Sequence, residues 1–173
     1  MRTVLTNNEL NDFSIVPAKL EDVFDISELT KGENLRYRPE EEVTVNLKNF
    51  FVLKHKQVGL IGCIGSKTYE DADVEIISLR IKEKFCGNGL GFGKKLLRKK
   101  LESLAGVKGR IFALTTPERA EITFLPMGFI KAGILMFGEK IKADCLDCKK
   151  NVMENGIYKC NEIAVLYKKP PVS

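Results

Sequence analysis

Four glycines alternate with other residues at positions 87, 89, 91 and 93, between an apolar run and a segment with helical periodicity. A turn without side chains lets phosphate oxygens approach the backbone closely, and the helix that follows presents unpaired N–H groups and the positive end of its dipole. The spacing therefore predicts a phosphate-binding turn. The alternative is a tight turn that serves only close packing of the helix, and the sequence leaves it open.

Two common phosphate-binding loops do not fit this turn. The dinucleotide fingerprint requires a third glycine three residues after the second, where the possible frames place Phe92, Lys94 or Leu96. A P-loop requires glycine at the position of Asn88 and Ser or Thr at the position of Lys95. The turn therefore predicts a phosphate site of another kind.

Glu75 is the leading candidate for moving a proton. It lies in the apolar run 74–81, where removal from water would raise the pKa of a carboxyl group toward that of a useful general base. The alternative is a glutamate at the exposed start of a strand, paired with a lysine. A cysteine nucleophile is disfavoured, because Cys86 lacks a partner and the only histidine, His55, lies between two lysines in a predicted hairpin turn.

Three cysteines near the end of the chain suggest a second chemistry. Cys145 and Cys148 have a chelate-like spacing, and Cys160 can supply a third thiolate to a zinc ion. Zinc normally takes four ligands, so Cys63 or a nearby aspartate would have to complete the set. Reduced structural thiols are the alternative, in keeping with an odd number of cysteines in a cytosolic protein.

Composition favours one compact domain over residues 1–173. The 44% of hydrophobic residues suffices for one core, and the net charge of +5 suggests an anionic small ligand rather than nucleic acid. No apolar run approaches the roughly 20 residues that span a bilayer, and the first residues lack the apolar segment of a secretory signal. We therefore expect a cytoplasmic protein without a membrane partner.

Periodicity and turn residues predict an α/β fold in which strands and helices share one mixed sheet. We expect frayed ends at 1–11 and 168–173 and a cysteine-containing excursion at 144–160. The predicted strands are 13–16, 50–53, 58–64, 74–81, 111–115, 128–130 and 162–167, and the predicted helices are 20–29, 38–47, 90–104 and 120–124.

This order of elements and the glycine turn resemble the GCN5-related N-acetyltransferase (GNAT) family. The family signature is Arg or Gln, two residues, Gly, one residue, then Gly or Ala, and Cys86-Gly87-Asn88-Gly89-Leu90-Gly91 fills this frame except that Cys86 replaces Arg or Gln. Gly128-Phe129 matches a second, weaker signature. The resemblance implies the GNAT acyl-CoA N-acyltransferase fold, with a mostly antiparallel sheet, splayed fourth and fifth strands and flanking helices.

The same resemblance implies the ligands and their contacts. Acetyl-CoA would bind through its pyrophosphate to the main chain of Gly87, Asn88, Gly89, Leu90 and Gly91. The pantetheine arm would pair like an added strand with Leu79 and Ile81, whose other role is ordinary core. Glu75 falls where members often carry the general base, and Phe124 replaces the tyrosine that many use as general acid.

Several scattered segments, from Arg38-Pro39-Glu40 to the end of the chain, resemble single-domain N-acetylglutamate synthases. This implies L-glutamate as acceptor, arginine biosynthesis as context and direct attack on the thioester. Arg38 would bind a substrate carboxylate, unless it is a solvated helix end. A polyamine, antibiotic or protein terminus as acceptor, and a non-catalytic acyl-CoA-binding regulator, are the alternatives. We further expect a small-molecule substrate and allow for a homodimer.

Overall fold

A computed structural model of the chain describes residues 12–31, 36–87, 89–145, 148, 153–154, 157–158 and 162–168. Their strands are β1 Phe13–Pro17, β2 Phe51–His55, β3 Gly59–Thr68, β4 Val74–Ile81, β5 Ile111–Thr115, β6 Phe129–Ala132, β7 Met153–Glu154, β8 Ile157–Tyr158 and β9 Ile163–Tyr167. Their helices are α1 Val23–Thr30, α2 Glu40–Val45, α3 Phe92–Ser103, α4 Pro117–Arg119 and α5 Gly138–Lys140. Two π-helical turns, Ala120–Phe124 and Ile141–Cys145, continue α4 and α5.

Seven strands form one sheet in the order β1-β2-β3-β4-β5-β9-β6, and β7 pairs with β8 in a separate sheet. The large sheet is mostly antiparallel, with β4 and β5 parallel. At its far edge β9 pairs with β5 on one side and with β6 on the other, so that Leu166 faces both Phe112 and Ile130. The predicted α/β class with a mixed sheet and flanking helices is confirmed. The splay between β4 and β5 stays a prediction.

The chain divides into two compact units that share strand β4. The first comprises residues 1–67 and 76–106, and the second comprises residues 68–75 and 107–173. Glu75 therefore belongs to the second unit, whereas Leu79 and Ile81 belong to the first. The single-domain organisation over 1–173 stays a prediction.

The core of the first unit is formed by one face of α1, by α2 and by β2, β3 and β4. α1 buries Val23, Ile26 and Thr30, at helical spacing, while Phe24 on its other face stays exposed. This helix follows a 3₁₀ turn over Leu20–Asp22. The helix predicted over 20–29 therefore begins too early. The core cluster contains Val23, Ile26, Val43, Phe50, Val52, Leu60, Cys63 and Ile77.

The glycine turn decides where α3 begins. The periodicity of the sequence predicts a helix from Leu90, but Gly91 is left-handed, with φ of 64°, and the helix begins at Phe92. It buries Phe92, Leu96, Leu97 and Lys100. The buried face of this twelve-residue helix thus anchors the preceding turn within the first unit.

The core of the second unit is aromatic. The rings of Phe112 and Phe137 stack with their centroids 3.9 Å apart, and Tyr69 and Ala164 complete the cluster. Arg110 fixes the start of β4, because its backbone N–H and Nε both donate to the Asp73 carboxylate at 2.8 Å. The N–H of Val74 in turn donates to the Arg110 carbonyl at 2.8 Å.

One other local prediction, the helix over 120–124, needs correction. α4 begins at Pro117, with the Thr116 side chain accepting from the Arg119 N–H, so the region predicted as helix from 120 is its π-helical continuation. The predicted excursion over 144–160 begins inside another such turn and includes the paired strands β7 and β8, and it stays a prediction. The Lys168 N–H donates to the Gly128 carbonyl at 3.1 Å, and fraying over 168–173 stays a prediction.

Candidate active site

The glycine turn adopts a conformation that only glycine reaches easily. Gly87, Gly89 and Gly91 have φ values of 70°, 80° and 64°. No atom of the described residues lies within 4 Å of a Cβ built at these three positions or at Gly93. Close packing therefore does not explain these glycines, whereas the backbone conformation explains the first three. Asn88 lies outside the described residues.

This turn leads directly into the N-terminus of α3. Gly91 caps the helix, and its carbonyl accepts from the Lys95 N–H at 3.0 Å. The first N–H groups of a helix have no partner within the helix, and alternating left-handed residues form concave surfaces of N–H groups. The turn can therefore bind an anion through main-chain groups alone.

Cys86, at the position of the missing Arg or Gln, is exposed, and its thiol folds back to the end of β4. Its Sγ lies 3.5 Å from the carbonyl of Ile81 and 3.7 Å from that of Lys82. Within the described residues the side chain therefore caps the strand that precedes the turn.

The end of β4 lies unusually close to β3. A Cβ on Gly62 would stand 2.5 Å from Ile81 Cδ1 and 2.9 Å from the Arg80 carbonyl. The Lys82 N–H donates to the Ile61 carbonyl at 2.8 Å. Ile81 is buried and therefore has the core role that the sequence allowed, while Leu79 is half-buried. The burial of these side chains does not test whether the main-chain groups of Leu79 and Ile81 bind the pantetheine arm.

Arg38 is buried, with 5% of its surface exposed, which rules out a solvated helix end. Its Nε donates to Ser78 Oγ at 2.8 Å, and its Nη1 pairs with the Glu42 carboxylate. The neighbouring Arg36 is the solvated one, with half of its side chain exposed and 3.9 Å from the same carboxylate. Arg38 therefore presents a fixed cation in the first unit.

Ser78 has a φ of 55°, inside strand β4. A left-handed non-glycine residue costs about 1–3 kcal/mol and persists only where its surroundings hold it. Besides the bond from Arg38, the Cys63 thiol donates to the Ser78 carbonyl at 3.3 Å. Sequence reasoning did not find this residue, and its one signal is a serine inside a buried apolar strand.

Glu75 is buried and paired, which combines the two interpretations offered by the sequence. Only 5% of its surface is exposed, so it does not lie at an open strand start. Its Oε2 accepts from the Tyr69 hydroxyl at 2.5 Å and lies 2.9 Å from Lys140 Nζ. One oxygen of the Glu75 carboxylate thus contacts both a cation and a hydroxyl.

Asp144 completes what we call the Glu75 cluster: Tyr69, Glu75, Lys140 and Asp144. Its Oδ2 lies 2.7 Å from the Tyr69 hydroxyl and 3.0 Å from Lys140 Nζ. Because a hydroxyl carries one proton, Tyr69 donates to one carboxylate at a time. Lys140 contacts both carboxylates, so one ammonium faces two acids in a buried setting.

Burial and charge fix the protonation of the two other members. Burial lowers the pKa of Lys140, but the Glu75 and Asp144 carboxylates outweigh it, and the pKa lies above its ordinary value. Burial, and then the same carboxylates, raise the pKa of Tyr69 well above its ordinary range. Lys140 therefore stays an ammonium and Tyr69 keeps its proton. Sequence reasoning missed Tyr69, Lys140 and Asp144, and its only available signal was the i, i+4 spacing of the last two.

The predicted zinc site finds no support. Among the described residues, no group of three or more His, Cys, Asp or Glu side chains is arranged to hold a metal ion. Cys145 is half-buried and Cys148 is exposed, both without a disulfide, and Cys160 lies outside the described residues.

Two further side chains have structural roles. Phe124 is buried and packs edge-on against Phe129, with centroids 5.1 Å apart. His55 ends β2 rather than lying in the turn, and its ring packs on Phe13 at 4.8 Å. Of the helices in the described part of the chain, none has the length and apolar character needed to cross a membrane.

Comparison with known proteins shows which proteins the chain is similar to. The chain is 30% identical over 161 residues to an uncharacterised N-acetyltransferase of Chlorobaculum tepidum, covering 90% of this chain and 96% of that protein. No protein-family profile matches.

Two examples illustrate the likeness of the chain to solved structures. One is an N-acetylglutamate synthase from Neisseria gonorrhoeae complexed with coenzyme A and N-acetyl-glutamate, with a TM-score of 0.71, 25% identity and 90% of this chain covered. The match covers 34% of that synthase, so the chain spans about a third of its length. The other is Rv2747 from Mycobacterium tuberculosis in complex with CoA, with a TM-score of 0.70, 19% identity, and 89% and 98% of the two chains covered.

Proposed function

Because the chain belongs to the GCN5-related N-acetyltransferase family, we propose that it transfers an acetyl group from acetyl-CoA to the amino group of L-glutamate. The observation that carries this proposal is the turn at Gly87, Gly89 and Gly91, whose left-handed backbone opens onto the N-terminus of α3. This geometry supports main-chain binding of a pyrophosphate.

Acetyl-CoA binds, in this proposal, to the first unit. The main chain of residues 87–91 holds the pyrophosphate, including Asn88 and Leu90, whose side chains are not needed. Leu79 and Ile81, at the end of the same β4 strand, offer main-chain groups to the pantetheine arm. Since the Cys86 thiol turns back to β4, binding depends on the backbone and not on a side chain at that position.

The reaction requires a neutral amine. An aliphatic ammonium has a pKa near ~10, so a base must remove a proton before the nitrogen attacks the thioester carbonyl. Glu75 is the proposed base. The contacts of Tyr69 and Lys140 with its Oε2 hold the carboxylate in one orientation. The thiolate of CoA then leaves without a proton from Phe124, which has none to give.

Glutamate as acceptor is supported by the likeness to the Neisseria synthase and by Arg38. A guanidinium has five N–H donors in a fixed fork, suited to carboxylates. Arg38 directs Nε to Ser78 and Nη1 to Glu42, which fixes the group without using all five donors. We propose that it binds a glutamate carboxylate.

An amine panel tests the proposal. Purified protein is incubated with acetyl-CoA and, separately, L-glutamate, L-glutamine, spermidine and a short peptide with a free amino terminus, and CoA release is followed. Glutamate should give the highest kcat/KM, and glutamine, which lacks the second carboxylate, should be markedly poorer. A preference for spermidine or the peptide overturns glutamate but keeps acetyl transfer. CoA binding without turnover on any amine indicates a regulator.

A further inference from the structure

Ser78 lies inside β4, next to the residues proposed to bind acetyl-CoA. Its φ of 55° is one of two positive values among the described non-glycine residues, the other being Ala72 at 65° in the turn before β4. Side chains disfavour this conformation, and inside a strand it redirects the peptide groups that follow. The contacts that hold Ser78 therefore influence Leu79 to Ile81.

Two buried donors hold Ser78, one on its side chain and one on its backbone. Arg38 Nε donates to Oγ at 2.8 Å. The Cys63 thiol donates to the carbonyl at 3.3 Å. Burial raises the pKa of Cys63 to about 12, so the thiol keeps the proton that it donates. Both donors belong to the same unit as Ser78.

Arg38 is itself anchored at both ends. Its backbone N–H donates to Thr30 Oγ1 at 2.9 Å, and its carbonyl accepts from Ser27 Oγ at 2.9 Å. Its Nη1 pairs with Glu42 on α2. Arg38 thus contacts α1 through its backbone, and its guanidinium connects α2 to the strained Ser78 of β4.

We propose that Arg38 is a positioning residue for the acetyl donor: it holds Ser78 left-handed and so orients the main-chain groups of Leu79 and Ile81 toward acetyl-CoA. This rests on the proposed function, in which those groups bind the cosubstrate. It adds to the acceptor role of Arg38 a second role at the donor, exerted through the backbone of β4.

Two substitutions at one position separate this role from ordinary packing. Ser78→Ala and Ser78→Gly both delete the Arg38 acceptor, but only glycine adopts a positive φ without strain. The alanine variant should bind CoA about tenfold more weakly in calorimetry, whereas the glycine variant should stay within about threefold of the parent. Ser66→Ala, a buried serine on β3, is the matched control and should leave affinity unchanged.

Arg38→Lys tests the same link from the other side. Lysine keeps the charge beside Glu42 but lacks the planar fork that reaches Ser78. We expect it to raise KM for acetyl-CoA severalfold in the parent and to leave it unchanged in the Ser78→Gly background. Its effect on KM for the amino acid should be similar in both. Melting temperatures confirm that each variant is folded.

The outcomes distinguish the two proposals. If the parent protein does not bind CoA, the proposed function fails first. If the parent binds CoA but alanine and glycine at position 78 weaken it equally, or Arg38→Lys leaves KM for acetyl-CoA unchanged in the parent, the positioning role of Arg38 is wrong and the proposed function stands.

Discussion

The Lys140 ammonium lies 2.9 Å from Glu75 Oε2, and both side chains are buried. An ion pair in this setting is costly to break from one side, because the remaining charge has lost its water and its partner. The contact that would be costly to break therefore also fixes the group proposed to take the amine proton.

Replacement of Glu75 by glutamine should cut turnover and spare the binding of CoA. The amide keeps the shape of the side chain and can still accept from Lys140, but it cannot accept a proton at neutral pH. General-base catalysis contributes about 10²–10⁴-fold, and kcat should fall within this range. Steady-state kinetics and calorimetry with CoA measure the two effects.

Glu118→Gln, on an exposed position of α4, is the control and should have no effect. Unchanged turnover in Glu75→Gln would remove Glu75 from the mechanism.

Lys140→Met should destabilise the protein strongly, because it leaves two buried carboxylates facing each other around Tyr69. Removing one partner of a buried ion pair costs about 3–5 kcal/mol. Urea unfolding measures this loss. Lys142→Met is a close control, because Lys142 is 71% exposed and pairs with Glu139 at the surface.

Adding Glu75→Gln to Lys140→Met removes one of the two negative charges that repel each other and should restore part of the stability. If the double variant is no more stable than Lys140→Met, the electrostatic account of the cluster is incorrect.

Gly89→Ala should weaken the binding of CoA about tenfold or more, because alanine is strained at a φ of 80° and the N–H groups of the turn would be redirected. Calorimetry with CoA checks this. Gly93→Ala, inside α3 with open space at its Cβ, is the matched control and should bind as the parent does. Equal losses in both variants would speak against a main-chain site in the turn.

Lys100 should make stability depend on pH. Burial lowers its pKa to about 8 from an ordinary 10.5, so the folded state binds fewer protons than the unfolded chain between these values. The free energy of unfolding therefore rises as pH increases from about 8 to 10.5. Below pH 8 the buried ammonium destabilises the folded state by its full amount.

In Lys100→Met the rise should disappear, and stability at pH 7 should increase by about 1–3 kcal/mol, since the lost bond to the Asn49 carbonyl offsets part of the gain. Thermal unfolding across this range measures it, with the exposed Lys99→Met as control. A parallel pH profile in parent and Lys100→Met would contradict the assignment.

The sequence predicted elements whose signals are local. Glycine spacing at 87–91 indicated the turn, and the apolar run 74–81 indicated a buried strand. The predicted start of α3 is two residues too early, because Leu90 fits the helical period. The left-handed Gly91 delays the start of the helix to Phe92.

The partners of Glu75 were beyond sequence reasoning for a different reason. Tyr69 and Asp144 are separated by 75 positions, and their contact exists only after the segment between β3 and β4 and the π-helical turn that follows α5 are folded together in one unit. The sequence of a polar segment does not indicate which of its charged side chains will be buried. The left-handed Ser78 was equally hidden, because serine has no strong preference for that conformation.

The open space beside the three left-handed glycines affects how this site can vary. In the proposed function the pyrophosphate is held by peptide groups, so a substitution at position 86 removes no atom that binds it. The exposed Cys86 is compatible with such a site, because its thiol turns back to β4. At positions 87, 89 and 91 the turn does not tolerate a residue whose side chain disfavours a positive φ.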